Sequence, residues 1–192
     1  MIRNRLALAG LIVLTFVFQG AVQSPSRAAQ SLEAKAVLYD MTGIRVGEAT
    51  FSQEAGKVRV RVVINGLPSG WHGFHIHSVG DCTPPAHTTS GGHFNPTGAT
   101  HPNHAGDLPI LHVNSDGTAE ASFTTSRFEL LDLLDNDLSA LIIHGSPDNY
   151  ANIQDRYRSS ADGAPASGPD TATLSTGDAG ARIACGLIER VR

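Results

Sequence analysis

From Leu32 onward the apolar positions of this chain recur with a period of two. Residues 58–64, VRVRVVI, set Val58, Val60, Val62 and Ile64 on one face and Arg59 and Arg61 on the other, as a half-buried strand requires. Residues 32–39, LEAKAVLY, and the segment Ala119–Phe123 alternate in the same way. Leu138–His144 and Ala181–Ile188 are nearly continuous apolar runs of strand length. Thr42-Gly43, Ala55-Gly56 and Asn114-Ser115-Asp116-Gly117 punctuate these segments as turns. No helical period competes with them, and Leu130–Leu134 has room for one helical turn only. The pattern predicts an all-β domain folded as an antiparallel sandwich or barrel. Two stretches interrupt it, Ser78–Pro109 and Gly145–Gly180. Loops of this length without a period of their own are uncommon in a compact domain and usually carry function.

The N-terminus stands apart from this pattern. Arg3 and Arg5 precede an uncharged apolar run, Leu6 to Phe18, and small residues follow at Ser26-Arg27-Ala28-Ala29. The run falls short of the roughly 20 residues needed to cross a bilayer. The sequence therefore predicts a cleaved export signal over residues 1–29, no stable membrane anchor, and one domain over residues 30–192. Loss of Arg3, Arg5 and Arg27 with the leader leaves 11 of the 14 basic residues against all 18 acidic ones, a net charge of −7. A chain so acidic is not expected to bind nucleic acid, whose phosphates require a basic face. Export to the periplasm or beyond the cell also bears on Cys82 and Cys185, because two cysteines in an oxidising compartment are usually paired.

The candidate chemistry is concentrated in residues 71–107, WHGFHIHSVGDCTPPAHTTSGGHFNPTGATHPNHAGD, which hold seven of the nine histidines. His75 and His77 lie two apart in a strand-like run, so both rings face the same way and offer a pair of ligands to one metal. His72 has the opposite parity and is expected to be structural. His93, His101, His104 and Asp107 lie on a loop rich in Gly and Pro, and three imidazoles with one carboxylate match a closed four-coordinate zinc site. His87, in a Pro/Thr loop, is expected at the surface, and His112, in an apolar run, in the core or an interface.

In these residues the chain resembles the copper/zinc superoxide dismutases. The resemblance rests on Gly73-Phe74-His75-Ile76-His77, Gly92-His93-Phe94-Asn95-Pro96 and His104-Ala105-Gly106-Asp107-Leu108. It continues in His144, Asp148 and the run from Gly177 to Gly186, GDAGARIACG, in the family's order. It implies an eight-stranded Greek-key β-barrel or sandwich and disproportionation of superoxide to dioxygen and hydrogen peroxide. By the same resemblance His75, His77, His93 and His144 are ligands of a redox-active copper, and His93, His101, His104 and Asp107 of a structural zinc. His93 would bridge the two metals. Asp148 would orient one histidine of each set, Arg182 would guide the anion, and Cys82 and Cys185 would form a disulfide.

Cys82 follows His77 by five residues and only two residues separate His101 from His104, a shortened arrangement that resembles the bacterial secreted members. The acidic and lysine run of the eukaryotic electrostatic loop is missing, which leaves Arg156 and Arg158 as further candidates for steering or as plain surface charges. A monomer or a homodimer is compatible with the pattern. Competing readings are a metal-binding or delivery protein of the same fold without catalysis, a zinc hydrolase, and a structural sandwich. The full set of copper-type histidines and Arg182 weighs against the first, the closed zinc set against the second, and the histidine density against the third.

Overall fold

A computed structural model describes residues 32–151 and 169–191, so the leader, Arg156 and Arg158 lie outside the described residues. The described fold is nearly all sheet. Strands β1 (Glu33–Asp40), β2 (Arg45–Glu54) and β3 (Lys57–Asn65) form a meander. β4 (Gly70–His72) and β5 (Phe74–His77) are one run of chain broken at Gly73. β6 (Leu111–Val113), β7 (Thr118–Thr125), β8 (Ser139–His144) and β9 (Arg182–Arg190) complete the set. Nine strands are thus described where eight are expected, the break at Gly73 accounting for the difference. All pairings are antiparallel, in the order β5-β8-β9-β1-β2-β3-β7, with β4 paired to β6.

The two sheets are covalently joined at both margins. β4 runs into β5 through Gly73, and β6 turns into β7 through Asn114–Gly117, where Gly117 N–H bonds Asn114 O at 3.0 Å. The alternation seen in the sequence sets the inner face. Val58, Val60, Val62 and Ile64 of β3 meet Phe51, Leu38, Phe74 and Ile76 in one buried core, while Arg59 and Arg61 stay outside on Glu54 and Glu120. Each such aliphatic side chain contributes about 1.5–3 kcal/mol by leaving water. The turn expected at Leu130–Leu134 is a 3₁₀ turn over Leu130–Leu133.

Two features beyond the sheet position the site. The outer edge of β5 is covered by the histidine-rich loop: Phe94 N–H bonds Ile76 O at 2.8 Å, Ile76 N–H bonds Gly106 O at 2.9 Å, and Ser78 N–H bonds Gly92 O at 2.9 Å. The second long loop is not without structure, since it contains a short helix, α1 (Thr171–Thr176). Asp170 caps its start by accepting from Thr173 N–H, and Gly177 ends it at φ 58°. Leu174 O of α1 accepts from His101 N–H at 2.8 Å, which ties the second loop to the first. No helix among the described residues is long and apolar enough to cross a membrane.

Candidate metal centre

His75 and His77 lie on β5 and His144 ends the neighbouring β8, so the sheet itself brings three rings together. Loop pairing against β5 adds His93, which bridges His77, and Asp107, which bridges His75. All of these side chains, with His101, His104 and Asp148, are buried.

The hydrogen bonds decide which ring nitrogens are free. His77 Nδ1–H donates to Gly91 O at 2.9 Å and His144 Nδ1–H to Gly180 O at 3.0 Å, which leaves Nε2 of each as a bare lone pair. His75 Nε2–H donates to Asp148 Oδ2 at 2.6 Å and His101 Nε2–H to Asp148 Oδ1 at 2.8 Å, which leaves their Nδ1 atoms bare. Such partners fix the tautomer and aim the opposite nitrogen. Nδ1 of His75 and His101 and Nε2 of His77, His93 and His144 are buried without a hydrogen-bond partner, and Nε2 of His87, apart from this group, is a sixth. A buried polar atom left unpaired costs free energy comparable to a lost hydrogen bond, so five converging in one place require a ligand.

Ligand atoms of His75, His77, His93 and His144 all lie within 4.8 Å of one another. A second group gathers on the other side of His93. Its Nδ1 is 2.7 Å from Asp107 Oδ1 and 3.3 Å from His104 Nδ1, which is 3.2 Å from Asp107 Oδ2. His101 Nδ1 is 3.1 Å from Asp107 Oδ2. Ligands about 2.0 Å from a tetrahedral zinc stand about 3.3 Å apart, and these separations fit that figure. By distance alone His75 also falls with His93, His101 and Asp107. Its Nε2, however, is committed to Asp148 and its Nδ1 to the first group, so His104 is the better fourth donor. The residues therefore fit two metal ions that share His93.

Electrostatics agree with this division. Burial pushes His75 down to about 4 and His144 down to about 3, the latter helped by the charge of His75, and burial holds His77 well below its ordinary range. These rings are neutral at pH 7, the form that binds metal. Burial alone would lower His101 too, but the carboxylates of Asp107 and Asp148 outweigh it and raise the group to about 9, so a metal at its Nδ1 must displace a proton. Both carboxyls, despite burial, are held below the usual carboxylate range by histidine hydrogen bonds, led by His101.

Arg182, at the start of β9, reaches back over the first loop. Its Nη1 donates to His87 O at 2.8 Å and Ser90 Oγ at 3.1 Å, and its Nη2 to Gly91 O at 2.6 Å. It forms no ion pair among the described residues, and its charge acts on the rings of His77 and His144. Cys82 and Cys185 are disulfide-bonded across 103 residues, with Cα atoms 5.6 Å apart. A loop of that size contributes about 4–5 kcal/mol in the chain-entropy view.

The sequence profile of the copper/zinc superoxide dismutases (SODC) matches residues 45–188. The chain belongs to the copper/zinc superoxide dismutase family. Superoxide dismutase [Cu-Zn] of Mycolicibacterium paratuberculosis is 38% identical over 180 residues, covering 88% of this chain and 78% of that one. The Mycobacterium tuberculosis protein of the same name is 39% identical over 176 residues, covering 85% and 72%. Superoxide dismutase [Cu-Zn] 2 of Brassica juncea is 36% identical over 160 residues, covering 80% and 94%. Among solved structures, a SOD-like protein from Bacillus subtilis superposes with a TM-score of 0.63 at 32% identity, covering 80% of this chain and 96% of that one. The clock protein EA4 has a TM-score of 0.64 at 32% identity, covering 81% and 92%.

For this member of the copper/zinc superoxide dismutase family, two expectations from sequence need correction. His87 is not at the surface: it is 2% exposed, with Nδ1 bonded to Cys82 O at 3.1 Å. Of the two places expected for His112, the core is ruled out, because β6 alternates and turns it outward, where it packs on the exposed Trp71 at 4.5 Å between ring centroids. His72 is structural as expected, both ring nitrogens facing carbonyls, His144 O at 2.7 Å and Pro68 O at 2.9 Å. Sequence reasoning missed Tyr150 and gave Gly177 no role beyond its place in the run from Gly177 to Gly186. A Cβ on Gly177 would collide with Asp148 Oδ1 and His101 Nε2, so glycine is needed there for space as well as for its positive φ. Tyr150 N–H donates to Asp148 Oδ1 at 2.7 Å, and its hydroxyl accepts from Ile110 N–H at 2.8 Å, bracing the carboxylate between the two loops. Gly177 was legible in part, as a glycine closing a short helix.

Proposed function

We propose that the chain disproportionates superoxide to dioxygen and hydrogen peroxide, two superoxide anions and two protons giving one molecule of each product. His75, His77, His93 and His144 would hold copper, and His93, His101, His104 and Asp107 would hold zinc. The observation that carries this reading is the convergence of five buried ring nitrogens with no hydrogen-bond partner, divided between two clusters that meet at His93. Copper, when bound, supplies one-electron redox chemistry, and zinc supplies fixed charge and geometry without changing oxidation state.

The chain's own residues do the rest. Asp148 holds His75 and His101 in register through one carboxylate, so the two halves keep a constant relation during turnover. To His93 Nε2, buried without a partner in the group of His75, His77 and His144, this reading gives the role of holding a proton and passing it to the product. Arg182 provides a local positive field, which attracts a small anion to a protein whose net charge is negative. Presence of all four copper-type rings and of Arg182 favours catalysis over metal delivery. Residues 1–29 would be cleaved on export, leaving the enzyme in the periplasm or outside the cell, where its disulfide persists.

Stopped-flow decay of superoxide with purified protein loaded with both metals tests the function. Catalysed decay well above that of free buffer is expected; decay at the spontaneous rate, with both metals present in full, would overturn the proposal. Mass spectrometry of exported protein reads the N-terminus directly, and an intact Met1 would contradict cleavage.

A further inference from the structure

Two buried histidines take no part in either cluster: His72, whose ring nitrogens both face carbonyls, and His87. His87 sits at φ 50° and ψ 26°, in the left-handed region, just before the 3₁₀ turn Thr88–Ser90. Non-glycine residues seldom adopt this conformation, and asparagine, aspartate and histidine do so most readily. Four bonds hold it there. Its N–H donates to Thr83 O at 3.1 Å, its ring Nδ1–H donates to Cys82 O at 3.1 Å, and its carbonyl accepts from Ser90 N–H at 3.3 Å and Ser90 Oγ–H at 2.9 Å. The same carbonyl accepts from Arg182 Nη1 at 2.8 Å. Ser90 Oγ and Gly91 O, the other two contacts of the guanidinium, lie just beyond Thr88 and Thr89 on the same turn, and Gly91 O also receives His77 Nδ1–H. The direction of three acceptors thus depends on the backbone angles at residue 87.

We propose that His87 is a positioning residue for Arg182. The ring, buried and pinned to Cys82 O, locks residue 87 in the left-handed conformation, and that conformation turns its carbonyl toward the guanidinium and sets the next two acceptors. His87 touches neither substrate nor metal; it acts through Arg182. The inference rests on the reading that Arg182 guides the anion.

The test uses the metal-loaded protein with His87→Ala, His87→Gly and His87→Asn, each alone and combined with Arg182→Ala. Copper and zinc content, kcat/KM for superoxide against ionic strength, and the dissociation constant of azide at the copper, read from its visible absorption, are measured. His87→Ala should lower kcat/KM at low salt about fivefold, the worth of one hydrogen bond, and weaken azide binding similarly. Metal content should stay at the parent level. His87→Gly accepts the positive φ without strain and so folds even if the alanine variant does not; it should show the same loss, because the ring is gone. His87→Asn tolerates the conformation and supplies a short side-chain N–H, and should restore both readouts to within about twofold. In the Arg182→Ala background the His87 substitutions should add nothing further. Parent-like kinetics and azide binding in the glycine variant, or an equal loss with and without Arg182, would overturn the positioning role. Parent-like kinetics in Arg182→Ala itself would instead overturn the reading of Arg182.

Discussion

The rings of His75, His77 and His144 stand on strands β5 and β8, whereas His101, His104 and Asp107 stand on a loop laid along the edge of β5. The strand side orients His77 and His144 by donating to backbone carbonyls of Gly91 and Gly180. The loop side is oriented by carboxylates: Asp107 lies against His93, His101 and His104, and Asp148 accepts from His101. In the first arrangement only His75, on Asp148, leans on a carboxylate, which suits the redox metal proposed for it. The second carries a built-in negative charge and, with His93, offers the four donors proposed for a metal that does not change oxidation state. His93 and Asp148 are the two groups that touch both halves.

Removing the carboxylate of the loop half should have the largest effect. Asp107→Ala is expected to weaken zinc binding about a hundredfold or more, the share of one ligand in a four-ligand site, while copper stays bound. Chelator competition measures both. An equal loss of copper would mean that the halves are not separately built. Asp148→Ala should weaken both metals, each by about 10–100-fold, because one carboxylate orients a ring in each half. Loss of only one metal would show that the shared support is nominal.

The smallest effect concerns pH and the metal-free protein. His75 and His144, pushed by burial to about 4 and about 3, bind fewer protons folded than unfolded below their ordinary 6.5. The strand half therefore loses stability as pH falls from about 6.5 toward 3. His101 behaves oppositely: raised to about 9 against the effect of burial by its carboxylate partners, it contributes stability that is complete below 6.5 and lost as pH rises through about 9. Thermal midpoints across pH should form an arch, and His101→Gln should remove the alkaline fall while leaving the acid one. An unchanged alkaline limb in that variant would contradict the assignment.

Much of this was legible because strands write their faces into the sequence. Alternation at Val58–Ile64 located the core, and the spacing of His75 and His77 placed two rings on one side. Alternation could also have located His112, since Leu111 and Val113 on either side point inward and leave it outside. The helix α1 had its signals, Asp170 before it and Gly177 after, but six residues carry no period to notice. His87 had none. Its burial comes from the docking of a Pro/Thr loop onto Cys82 and Arg182, contacts that join residues up to 95 positions apart. Free nitrogens, too, are a tertiary property: which atom of each ring is bare depends on acceptors supplied from elsewhere in the chain.

The central claim is that the strand half performs the chemistry and the loop half supports it. Copper returned stepwise to protein that holds zinc but no copper tests this most directly, with superoxide disproportionation followed at each addition. The account predicts activity that is absent at the start, rises in proportion to bound copper and levels off at one copper per chain. Full activity before any copper is added, or no activity when the site is filled, would contradict it.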